Sequence, residues 1–133
     1  MRGGAVAAMI DVSDGVLTDL SRLLERDRLG AVLAEESFPV SGSFRAASAA
    51  LGIDPLAAFL AGGEDYELLM AVRPGRRGRF LRAARAFPSG ATAIGVVTKA
   101  RGIRVRRADG SWVEGPGLPT GFEHFTAPKR QAR

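Results

Sequence analysis

The sequence predicts an α/β or α+β domain in which helices pack on a mixed β-sheet. Three observations carry this. Apolar runs of strand length alternate with stretches of helical period. Gly, Pro and Asp punctuate the boundaries between them. The chain is 133 residues long, a length that suits one domain and buries roughly two thirds of its unfolded surface.

The elements follow in order. Residues 5–12 (AVAAMIDV) are dense in apolar side chains and read as a buried strand. Residues 15–27 have a helical period: Val16, Leu17, Leu20, Leu23 and Leu24 share one face, and Thr18, Asp19, Arg22, Glu25 and Arg26 take the other. Ser13 or Asp14 is the expected N-cap and Gly30 the expected stop. Residues 30–35 form a second strand, and Pro39 to Gly42 a loop. Two short Ala-rich helices over 43–51 and 54–61 break at Gly52, with Asp54-Pro55 opening the second. Residues 66–72 (YELLMAV) are a strong strand. Residues 75–87 form a basic amphipathic helix expected to bury Phe80, Leu81, Ala84 and Phe87. Residues 92–98 and 102–107 are two strands joined by a turn, and Asp109-Gly110 marks another turn. All strands are expected in one sheet. Residues 1–127 make up the domain, and residues 128–133 are expected to be a flexible basic tail.

Composition excludes several function classes. Hydrophobic residues are 46% and charged residues 25% of the chain, as in soluble globular proteins. No stretch reaches the ~20 apolar residues of a membrane span. The apolar start meets Asp11 too early for a secretory signal, so the expected location is cytoplasmic. There is no cysteine, which removes disulfides and thiolate metal sites, and one histidine, His124, which makes a His-based zinc site a poor fit. The net charge is +5, with arginines at 73, 76, 77, 79, 82 and 85 and again at 101, 104, 106 and 107. A basic chain invites a nucleic-acid reading. Against it, the scarcity of Lys beside Ala, Gly and Arg fits a GC-rich coding bias, and no aromatic run interleaves with the arginines to stack bases. Nucleic acid is not the expected partner.

Two acidic clusters carry the chemistry. Asp11-Val12-Ser13-Asp14-Gly15 places carboxylates at i and i+3 where a strand gives way to a helix. Such oxygen donors suit Mg²⁺, which takes a few carboxylates with phosphate oxygens and water. The Ser13 hydroxyl and helix N–H groups suit a phosphate. The competing reading is an ordinary cap, with Asp14 capping and Asp11 solvated. About fifty residues later, Gly62-Gly63-Glu64-Asp65-Tyr66-Glu67 sets three acids after two glycines and before an apolar strand. It reads either as a charged ligand loop or as an acidic surface loop. Phe122 reads as a core aromatic or as a ligand platform. Neither cluster has the G-x-x-x-x-G-K-[ST] spacing of a P-loop.

Taken together, Ala8-Met9-Ile10-Asp11-Val12-Ser13-Asp14-Gly15, Gly62-Gly63-Glu64-Asp65-Tyr66-Glu67-Leu68-Leu69 and Gly121-Phe122-Glu123-His124-Phe125 resemble, in that order, the C-terminal half of thiamine-monophosphate kinases. Phe38-Pro39-Val40 and Ile94-Gly95-Val96-Val97 agree with that resemblance. It implies the fold of the C-terminal domain of aminoimidazole ribonucleotide synthetase-related ATP-dependent enzymes. It also implies transfer of the ATP γ-phosphoryl group to thiamine monophosphate, with Mg²⁺ as cofactor. Carried over by position, Asp11 and Asp14 would be Mg²⁺ ligands and Ser13 a nucleotide-phosphate contact. Glu64, Asp65 and Phe122 would face the thiamine substrate. No side chain here is expected to act as a covalent catalyst, because the substrate phosphate can itself be the nucleophile.

The resemblance implies a missing N-terminal ATP-binding domain and a homodimer, so the chain alone is expected to be inactive. The alternative is a free-standing thiamine-phosphate or nucleotide binding module without catalysis.

Overall fold

The computed structural model describes residues 4–62 and 67–119. Its six strands and four helices are β1 (Val6–Asp11), α1 (Val16–Glu25), β2 (Gly30–Ala34), α2 (Gly42–Ala50), α3 (Pro55–Ala61), β3 (Leu68–Val72), α4 (Arg77–Ala84), β4 (Gly95–Thr98), β5 (Gly102–Arg106) and β6 (Trp112–Glu114). The fold class is the expected one. The strands, however, divide into two sheets. β1 and β3 form an antiparallel pair, and the other four take the order β4-β2-β5-β6. The larger sheet is mixed: β2 runs antiparallel to β4 and parallel to β5, and β6 is antiparallel to β5. β4 and β5 are therefore consecutive but not paired, because β2 lies between them.

Local chemistry sets most boundaries. The Ser41 hydroxyl accepts from the Phe44 N–H at 3.0 Å and opens α2; Asp54 Oδ1 accepts from the Leu56 N–H at 3.0 Å and opens α3, with Pro55 in its first turn. α1 does not stop at Gly30. Arg28 takes φ 53°, its N–H bonds Glu25 O at 3.0 Å, and Leu29 N–H bonds Leu24 O at 3.2 Å. These are the paired bonds of a Schellman end. Gly30 serves close approach instead. A Cβ there would stand 2.1 Å from Ala100 O and 2.3 Å from Gly102 O. Gly30→Ala is expected to push β2 off β5 and cost more than about 2 kcal/mol, read as a lower melting temperature by circular dichroism.

The core joins the apolar face of α1 to both sheets. Val16, Leu17, Leu20 and Leu24 are buried with Val12, Ala31, Leu33, Phe38, Leu56, Leu60 and Val105. Leu23 is partly buried beside them, so the expected α1 face is the observed one. Phe38 stacks on Phe59 with ring centroids 4.4 Å apart. On α4, Ala84 is buried as expected and Phe80 and Leu81 are half-buried. Phe87 is 67% exposed, because the helix ends at Ala84 and the following turn carries the ring away from the core.

The arginines of the β5–β6 region are internal ties. Arg104 pairs with Glu114 at 2.6 Å and lies over the Trp112 ring, Arg106 pairs with Glu36, and Arg107 pairs with Asp54 at 2.9 Å.

Candidate functional site

β1 alternates half-buried Val6, Ala8 and Ile10 with exposed Ala7, Met9 and Asp11. Asp11 is the last residue of the strand and stands on its solvent side. Val12 turns into the core at 5% exposure, Ser13 is exposed, and the Asp14 side chain is 31% exposed. Period 2 in the strand thus hands over to a tight corner before α1 begins.

Gly15 makes the corner possible. It has φ 108°, and a Cβ would meet Ala61 O at 3.1 Å and Gly62 O at 3.2 Å. No other residue type combines that dihedral with that clearance. The same contact puts the corner against Gly62, the first residue of the second acidic cluster. From the other side, the Val12 N–H donates to Glu67 O at 2.9 Å. Gly62 and Glu67, the two described flanks of the second cluster, therefore both abut Asp11–Gly15. The corner thus meets described residues on both sides of a segment about fifty positions further along the sequence.

Neither Ser13 nor Asp14 caps α1. The N-cap is Gly15, and no side chain bonds it. The carboxylate that does the work is Asp19, expected on the solvent face and found 1% exposed. Its Oδ2 accepts the N–H groups of Ser13 and Asp14, both at 2.9 Å. Its Oδ1 accepts from Arg22 Nη1 at 2.8 Å. Burial pushes the Asp19 carboxyl up, but the Asp14 and Ser13 N–H groups and Arg22 outweigh it and hold the group below the usual carboxylate range. A first-turn acid that reaches back to loop amides does at longer range what a capping box does, without the capping-box spacing that would have marked it in the sequence.

Arg22 also binds Asp14, and its guanidinium is held further on the protonated side by the bonds to Asp14 and Asp19. The amides of Ser13 and Asp14 are thus engaged by Asp19. Among the described residues the Ser13 hydroxyl makes no hydrogen bond and remains the polar group that can meet a phosphate. Glu64, Asp65 and Phe122 lie outside the described residues, as does His124.

The donor type at the corner suits a hard cation. Asp11 and Asp14 supply carboxylate oxygens at a solvent-facing corner, which suits Mg²⁺ because that ion keeps water and phosphate oxygens in its shell. Among the described residues no group of three or more His, Cys, Asp or Glu side chains comes together as a complete protein-only metal site.

The sequence matches AIR synthase related protein, C-terminal domain, over residues 1–108. The chain belongs to this family. Within it, the chain is 32% identical to a thiamine-monophosphate kinase of Aquifex aeolicus over 89% of its own length and 34% of the relative's. A solved structure of AaThiL complexed with AMPPCP and TMP is 30% identical, with a TM-score of 0.65, covering 91% of this chain and 34% of that one. Escherichia coli HypE, a hydrogenase maturation protein, shares the fold with a TM-score of 0.73 at 24% identity, over 89% of this chain and 37% of that one. The chain spans about a third of the length of the curated relatives it matches most fully, 34% and 38% of them. The motif resemblance to thiamine-monophosphate kinases is thus borne out by whole-chain similarity. Among the described residues no single helix is long and apolar enough to cross a membrane.

Proposed function

We propose that this chain is the C-terminal part of an ATP:thiamine-phosphate phosphotransferase, which converts thiamine monophosphate and ATP to thiamine diphosphate and ADP. The observation that carries this reading is the meeting of Asp11–Gly15 with both flanks of the second acidic cluster, Gly62 and Glu67. Similarity to a relative complexed with AMPPCP and TMP supports it.

In this reading Asp11 and Asp14 hold Mg²⁺, which when bound neutralises phosphate charge. Ser13 donates its hydroxyl proton to a nucleotide phosphate oxygen. Glu64 and Asp65 face the thiamine cation, and Phe122 lies against it. The chain's task is positioning and electrostatic stabilisation, the main demands of phosphoryl transfer. An N-terminal ATP-binding domain and a homodimeric, cytoplasmic enzyme complete the proposal. The isolated chain folds without turning over.

The test uses a chimera that joins residues 1–133 behind the N-terminal part of the Aquifex relative. Glu64→Gln and Phe122→Ala are expected to raise the Michaelis constant for thiamine monophosphate far more than that for ATP. A charge contact of ~1.5–3 kcal/mol corresponds to about one to two decades, and the aromatic share is smaller. A Phe122→Ala protein that melts well below the parent yet keeps both constants would make Phe122 a core residue and refute the contact.

A further inference from the structure

Arg22 lies three residues beyond Asp19 and eight beyond Asp14, and its Nη1 is shared between them. The two carboxylates are held differently. Asp19 is buried and has two backbone N–H partners besides the guanidinium. Asp14 is part-exposed, and among the described residues Arg22 is its only side-chain partner. The bond to Asp14 can therefore be given up without unmaking the corner, while the bond to Asp19 keeps Arg22 beside it.

We propose that Arg22 is a displaceable counter-ion for Asp14 that makes the corner select a phosphate-bearing divalent cation over the bare ion. The inference rests on the reading of Asp14 as a metal ligand. A bare cation must compete with the guanidinium for Asp14 and then lie beside its positive charge. A cation that arrives with phosphate oxygens brings anionic acceptors, and the guanidinium, anchored by Asp19, turns its remaining N–H donors to them. The same residue opposes one ligand and favours the other. A merely structural ion pair would do neither.

The experiment measures Mn²⁺ affinity of the full chain by electron paramagnetic resonance, once with Mn²⁺ alone and once with Mn²⁺–pyrophosphate. Arg22→Gln is expected to tighten Mn²⁺ alone about threefold to tenfold and to weaken Mn²⁺–pyrophosphate by a similar factor. Arg22→Lys keeps the charge and is expected to return the bare-ion affinity toward wild type. Asp14→Asn separates the two readings. If Asp14→Asn weakens Mn²⁺ binding while Arg22→Gln shifts neither probe, or shifts both in one direction, the Arg22 proposal falls and the metal site stands. If Asp14→Asn leaves Mn²⁺ affinity unchanged, or if neither wild type nor Arg22→Gln binds Mn²⁺ at millimolar concentration, both fall. A lower melting temperature of Arg22→Gln with unchanged affinities makes the residue structural and overturns the proposal.

Discussion

Asp14→Asn and Asp11→Asn, each placed in the chimeric two-domain enzyme, are expected to lower turnover by about 100-fold or more while the protein stays folded. The size follows from the demands of phosphoryl transfer, where removing one fixed electrostatic contact costs about 10²–10³ in rate. The corner survives either change, because Asp19, not these carboxylates, holds its backbone. Asp14→Asn gives up an exposed ion pair with Arg22, which solvent screening makes a small contributor to stability. Asp11 ends β1 on its solvent side and carries no core contact. Steady-state assays across a Mg²⁺ series, with melting curves on the same samples, measure both effects. Near-normal turnover at low Mg²⁺ would reduce these acids to surface residues.

Asp19→Ala is expected to give the largest loss of stability, about 3 kcal/mol or more, and to drop the melting temperature by about 10 °C. The mutation removes a buried carboxylate and strips the Ser13 and Asp14 amides of their acceptor. Asp19→Asn keeps an acceptor oxygen but presents its NH₂ to Arg22, so an intermediate loss is expected. The pH dependence has a definite sign. The folded-state pKa of Asp19 is depressed, so its contribution is fully present above the unfolded value of about 3.9 and disappears as pH falls through the lower folded value. Melting curves of wild type and Asp19→Asn should therefore lie apart at pH 7 and approach each other toward pH 2. A constant gap down to that pH would mean that the ionised carboxylate is not what stabilises the corner.

Much of the fold was legible because its signals are local. The α1 stripe, the Ser41 and Asp54 caps and the apolar runs of β1, β2 and β3 depend on neighbours a turn or two away. The division into two sheets was not legible, since strand partners are chosen over long range. Nothing in residues 92–107 shows that β2 will insert between β4 and β5. β6 has three residues, too few for an alternation to register. Both acidic clusters were legible as chemistry, but the contact of Asp11–Gly15 with Gly62 and Glu67 needed the Val12–Glu67 hydrogen bond and the Gly15–Gly62 approach. In a helical wheel the charge of Asp19 assigns it to the solvent face, although it borders the apolar stripe. Its burial follows from backbone donors in the preceding loop, which a wheel does not contain.

The most direct measurement is product formation. The chimera carrying residues 1–133 is supplied with thiamine monophosphate, ATP and Mg²⁺, and thiamine diphosphate is followed by chromatography beside the 133-residue chain alone. Thiamine diphosphate is expected from the chimera, none from the isolated chain, and near-complete loss with Asp14→Asn. A folded chimera that binds both ligands and makes no thiamine diphosphate, or an isolated chain that makes it steadily, would contradict the account.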